Sequence, residues 1–258
     1  MRLRNLTPVL VISILLSNAC VENKSAEIMP VTTDSELALE FYETGMVAFD
    51  QLKWGLAMHN LELAVKEDPD FFMAYFWMYI ISSQGSKKVA EKALQTNAPL
   101  NEAEKQIKTA FKYLLDGQNE KVLEHLQMAV DLYPSDPEIH KSLYIPQFLL
   151  LKDAEGTVKS VSIAIEKQPD YALAYNYLGY ALMDLEEYDK AEEAIDKYIK
   201  LAPTIANPYD SKGDFYMNTQ QYDKAYESYM KAFEIDSSFM VSEKKAIKAK
   251  QILSKISE

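Results

Sequence analysis

Residues 168–203 read QPDYALAYNYLGYALMDLEEYDKAEEAIDKYIKLAP, and the placing of small residues within them decides the fold. Counted from Ala172, Gly179 stands at the eighth place, Ala191 at the twentieth and Pro203 at the thirty-second. Small residues at such places let two antiparallel helices approach closely, while larger ones at places 4, 11 and 24 fill the space between them. The proline stops the second helix, because it lacks an N–H and its ring clashes with the preceding turn. The stretch therefore predicts a helical hairpin, a unit that cannot bury its apolar face alone.

The same spacing recurs outward in both directions. Pro134, Pro169 and Pro203 are 35 and 34 residues apart, and Pro69 lies 65 before Pro134, two periods with one short by three. Asp68-Pro69-Asp70-Phe71 returns as Gln168-Pro169-Asp170-Tyr171. Units start near Ala38, Phe72, Ala103, Glu138, Ala172 and Ala206, with Gly45, Gly179 and Gly213 at the eighth place and Ala57, Ala191 and Ala225 at the twentieth. Unit two is short, and unit four carries Pro146 inside its first helix. In residues 240–258, Ala246, Ala249, Leu253 and Ile256 share one helical face opposite Lys244, Lys248 and Lys255, as expected of a helix that caps a solenoid.

The pattern resembles the tetratricopeptide repeat, whose unit carries W-x2-L-G-x2-Y, A-x3-F, A and P in that order. Its best copies here are Tyr175-x2-Leu178-Gly179-x2-Leu182 with Ala191-x3-Ile195 and Pro203, and Tyr209 with Gly213-x2-Tyr216, Ala225-x3-Tyr229 and Ala232; the latter has Lys212 where Leu is usual. The resemblance implies an all-α, right-handed α-solenoid of about six hairpins over residues 36–239, followed by the capping helix. It also implies a protein or peptide partner in the concave groove, which the family lines with places 2, 5, 9, 12 and 13 of each first helix. Tyr42, Met46, Phe49, Phe76, Ile80 and Phe111 would make the N-terminal half of that groove aromatic and apolar. Asn176, Tyr180, Met183, Asp210, Asp214, Met217 and Asn218 would make the C-terminal half acidic. The Lys and Asn with which some members hold a free C-terminal carboxylate are absent from the matching places, so a basic or apolar segment is expected instead. On this reading Asp210 and Asp214 face a partner and can be changed to Lys without unfolding the array.

Of 258 residues only 7 are Gly, so turns with positive φ should be few, and β-rich or Gly-loop nucleotide folds are disfavoured. A net charge of −12 speaks against nucleic acid, whose binding draws on Lys and Arg. One cysteine excludes an internal disulfide framework.

That cysteine carries the localisation. Arg2 and Arg4 precede the apolar run Val9 to Leu16, too short to span a bilayer and of the right length for an export signal. Leu16-Ser17-Asn18-Ala19-Cys20 resembles a bacterial lipoprotein signal, with Ser17 where Leu is usual; Ser17-x-Ala19 also satisfies an ordinary cleavage rule. The expected organisation is a signal over residues 1–19, a tether over 20–35 joining an acylated Cys20 to the folded part, and Thr33-x-x-Glu36 as a capping box. Such a protein would sit on an envelope membrane facing the periplasm.

No chemistry-bearing constellation emerges. His59, His125 and His140 fall in separate units as helix-surface residues, and Walker, G-x-S-x-G and G-x-G-x-x-G motifs are absent. The expectation is a non-catalytic scaffold with no metal and no cofactor; the alternative is an accessory ligand-binding component of an uptake or signalling system. The close approach at the twentieth place is directly testable: Ala191→Leu should overpack its hairpin and cost about 1–3 kcal/mol, read as a lower urea midpoint.

Overall fold

A computed structural model describes residues 28–82 and 86–256. Cys20, the expected signal and the first part of the tether lie outside the described residues. Six hairpins follow one another: α1 (Glu36–Asp50) with α2 (Trp54–Glu67), α3 (Phe72–Ile81) with α4 (Lys87–Gln95), α5 (Glu102–Leu115) with α6 (Asn119–Leu132), α7 (Pro137–Leu149) with α8 (Ala154–Lys167), α9 (Ala172–Asp184) with α10 (Tyr188–Leu201), and α11 (Ala206–Asn218) with α12 (Tyr222–Ile235). A thirteenth helix, α13 (Met240–Ile256), packs on the last hairpin. The fold is an all-α solenoid.

Local chemistry sets the helix ends. Ser35, Asn101, Asp136 and Asp153 accept backbone N–H groups as N-caps, and Asn101 with Glu104 forms a reciprocal capping box. The cap of α1 is thus Ser35; Thr33, expected in that role, instead donates its hydroxyl to Asp68. Pro69, Pro134, Pro169 and Pro203 each stand two residues past the end of a second helix. Inside the hairpins the small residues permit close packing: a Cβ on Gly213 would come within 2.4 Å of the Tyr229 ring. α7 continues through Pro146 to Leu149.

The turns inside the hairpins overturn the expectation drawn from glycine scarcity. Leu52, Gly117, Lys152, Glu186 and Gln220 all have φ between 53° and 70°, and each occupies the fifteenth place of its unit. The following N–H reaches back five residues in four of these turns, Lys53 to Ala48, Gln118 to Tyr113, Glu187 to Leu182 and Gln221 to Tyr216, which is Schellman geometry. Two packed helices therefore hold a left-handed residue in place, and four of the five positions tolerate a side chain at some cost.

The first hairpin curls back onto later units. Asp50 at the end of α1 accepts from Lys141 of α7 at 2.7 Å and from the Tyr171 hydroxyl at 2.9 Å, and Lys53 lies 4.0 Å from Asp236 beyond α12. Residues 28–35 are a further departure from the expected tether. Met29 is buried, and the segment runs over the folded units hydrogen-bonded to Asp136, Glu104, Asn101 and Asp68. It lacks helical periodicity because it is an extended strap, held from outside itself.

Replacing the exposed turn residues Glu186 and Gln220 by Gly should stabilise the fold by about 0.5–1 kcal/mol each, the relief of left-handed strain net of the backbone entropy that Gly adds. Urea unfolding of the two single variants measures it, and a fall in midpoint would contradict the account.

Candidate functional site

The groove expected from the sequence is largely filled by the chain itself. Phe49 is fully buried between Trp54 and Trp77, with ring centroids 5.2 and 4.9 Å away. Phe76 packs against Trp77 and Phe111, and Ile80 is buried beside them. These three expected groove residues, Phe76, Ile80 and Phe111, are core, as is Phe49. Phe76 and Phe111 close on each other and on Trp77 and Tyr79 between neighbouring first helices, while Phe49 is covered by the two tryptophans.

Tyr42 and Met46 do reach an opening. They line a cleft of about 290 Å³ whose floor also includes Met73 and an edge of Trp77. The strap residues Ile28, Met29 and Val31 form one wall, and Glu43, Val47, Asp50 and Glu138 form the rim. Behind the rim the Lys141 ammonium, with a fully buried side chain, bridges Asp50 and Glu138 at 2.7 Å each and lies 5.6 Å from the Phe49 and Tyr171 rings. Burial pulls this lysine down, but the two carboxylates outweigh it and hold it above the ordinary value. Burial pushes the Glu138 carboxyl up, against the pull of Lys141. With Glu43 at the mouth, the rim carries three carboxylates against one ammonium. An apolar floor under such a rim suits an apolar chain ending in a cation. Lys141 was not foreseen, although a lysine inside nine consecutive buried residues, Ile139 to Gln147, can exist only with partners.

The C-terminal half is corrected more sharply. Asp210 is 4% exposed and accepts from Ser242 at 2.6 Å and Lys245 at 2.7 Å. Asp214 accepts from Tyr180, Tyr229 and Lys245 at 2.6, 2.7 and 2.9 Å. Asn176 accepts from Ser211 at 2.7 Å. Met183 is buried, Met217 packs partly against the α12–α13 core, and Asn218 is exposed at the end of α11. The acidic wall is thus an internal network neutralised by Lys245 of α13, and reversing both aspartates would crowd three ammonium groups. Lys212, the departure from the repeat's usual Leu, pairs with Glu192 and Asp196 at 2.8 and 2.6 Å and lies over Phe215 and Tyr216. His140 is buried against the Pro134 carbonyl, 3.0 Å away, and is no surface residue.

The network has a signed pH dependence. Burial raises the Asp210 carboxyl above its ordinary value, opposed by Lys245. Burial lowers Lys245, but Asp214 and Asp210 hold it above 10.5, so its contribution is complete below that pH and lost as the ammonium deprotonates. Lys245→Met should cost about 2–3 kcal/mol at pH 7, below the ~3–5 of a fully enclosed pair because the lysine side chain is 31% exposed. The deficit should be smaller at pH 5 than at pH 7, because burial without Lys245 makes the folded Asp210 take up a proton more readily. Urea titrations of both proteins at the two pH values measure it, and a deficit that grows on acidification would refute the network.

Residues 172–205 and 206–239 each match a family model of the tetratricopeptide repeat. No curated protein matches the chain in sequence. Among solved structures, a thermophilic TPR protein of Thermus thermophilus is 18% identical, with a TM-score of 0.53 over 82% of this chain and 98% of that one. The MamA protein is 21% identical, with a TM-score of 0.42 over 78% of this chain and 93% of its own. The APC/C hetero-tetramer Cut9-Hcn1 gives 19% and 0.49, covering 82% of this chain and 42% of that one. The last two hairpins of this all-α solenoid, α9–α10 and α11–α12, are tetratricopeptide repeats.

Proposed function

We propose that the protein is a non-catalytic interaction scaffold of the bacterial cell envelope, anchored through an acylated Cys20, which receives a partner segment in the cleft between α1, α3 and α7. The observation that carries this is the cleft itself: an opening floored by Tyr42, Met46, Met73 and Trp77 and rimmed by Glu43, Asp50 and Glu138, on a repeat fold that fits protein recognition. The partner chemistry follows from the lining. An apolar side chain fills the floor and a Lys or Arg head meets the rim, while net charge −12 disfavours nucleic acid. Rigid aromatics with adaptable methionines are the residue types that anchor protein interfaces.

Glu43 and Val47 are exposed on the rim, so Glu43→Lys with Val47→Asp should leave the fold intact. Crosslinking in the native envelope followed by mass spectrometry should recover a partner with the parent protein and about tenfold less with the double variant, a loss of about 1.4 kcal/mol. Equal recovery would remove the cleft from the mechanism. Labelled acyl chain should enter the parent protein and not Cys20→Ala; incorporation into the variant would sink the anchor.

A further inference from the structure

The strap over residues 28–33 is held as a bound peptide is held. The Met29 N–H donates to Asp136 Oδ2 at 2.7 Å, and the Met29 side chain is buried. The Pro30 carbonyl accepts from Asn101 Nδ2 at 2.7 Å. Thr32 gives both its N–H, at 2.7 Å, and its hydroxyl to the carboxylate of Glu104. The Thr33 hydroxyl donates to Asp68 Oδ2 at 2.5 Å. Proceeding backward from α1, the strap therefore meets the unit boundaries in turn, at Asp68, at Asn101 and Glu104, and at Asp136.

Those receiving groups are built without the strap. Asp136 also caps α7 through the Glu138 N–H, Glu104 closes the capping box on Asn101, and Asp68 accepts the Asp70 N–H. Each is thus held within its own unit as well as by the strap. The strap is held by these polar contacts more than by apolar burial: Met29 is its one buried residue, while Ile28 and Pro30 are exposed. Glu104 is fully buried, and its two carboxylate oxygens accept from the Thr32 N–H and hydroxyl and from the Asn101 N–H.

We infer that residues 28–33 are a displaceable ligand held in cis, and that the edge formed by Asp68, Asn101, Glu104 and Asp136 is a docking site for an extended partner segment of the same chemistry. The contacts define the segment. It needs an apolar residue with a free N–H, a carbonyl at the next position and, three residues after the first, a Thr or Ser whose N–H and hydroxyl together satisfy Glu104. The second residue donates nothing, which is why Pro30 fits. This inference rests on the scaffold reading above and adds a surface beside the cleft. Covalent attachment gives the strap an effective concentration on the order of mM, which a free segment must overcome.

The test uses the full chain and a fluorescein-labelled peptide of residues 28–34, IMPVTTD. Thr32→Pro in the protein removes the N–H and the hydroxyl that meet Glu104, and Thr32→Val removes the hydroxyl alone. By fluorescence anisotropy, Thr32→Pro should bind the peptide at least about tenfold more tightly than the parent does, with Thr32→Val between them. A peptide bearing the same Thr-to-Pro change should bind none of the three. Circular dichroism checks the fold, and Thr32→Val serves alone if Thr32→Pro fails to fold. Equal binding by variant and parent, or no binding by a folded variant, overturns the inference. Recovery of an envelope partner through Glu43 and Val47 is read separately, so the two ideas fail independently.

Discussion

The Lys141 ammonium holds the first hairpin against the fourth and fifth. Its partners Asp50 and Glu138 are on α1 and α7, Asp50 also takes the Tyr171 hydroxyl, and 91 residues separate Lys141 from Asp50. A fully buried cation is tolerated only when its charge is answered and its donors are used. Two carboxylates and the nearby Phe49, Trp77 and Tyr171 rings meet that demand. The interaction fixes where the α1 tip sits more than it adds stability. Once the tip is there, the concave side of the N-terminal units is no longer a trough, and a cleft beside the strap is what stays open.

A second closure of the same kind works at the other end. Lys245 reaches from α13 to Asp210 and Asp214 of α11, and Tyr180 and Tyr229 bring their hydroxyls to Asp214. Burial raises both tyrosines, which keeps the phenols protonated as donors to that carboxylate. The last helix thus covers the final hairpin with a charge as well as with Ala246 and Ala249, both fully buried. Positions that the repeat family turns toward a partner are used here to join one unit to the next.

The division between what was legible and what was not follows the range of the interactions. Hairpin boundaries, proline stops and the close approach at Gly179 and Gly213 depend on residues within one unit, and periodicity reports them directly. The strap depends on partners 35 to 107 residues away, and its own stretch shows no period. Asp210 and Asp214 follow the same division: their places on α11 come from the repeat, but their counter-charge lies on a helix some 31 to 35 residues later. Glycine count misjudged the turns because it measures the cost of a left-handed residue, not the capacity of two packed helices to impose one on Leu52, Glu186 or Gln220.

One first helix announced the filled groove in its sequence, and a second shares its burial. In an open solenoid a first helix packs on its neighbours and leaves one stripe to the concave side, so its sequence should be amphipathic. α3, FMAYFWMYII, is apolar all round, and eight of its ten residues are buried. α7 buries nine residues in succession. Such helices have no solvent-facing stripe to offer, so something must lie over the face that a partner would otherwise meet. At Met73 and Trp77 the strap and the α1 tip are that covering, and the all-round apolarity of α3 is its signature in the sequence. Recognition is thereby moved off the concave surface to the cleft at its margin and to the edge along which the unit boundaries align.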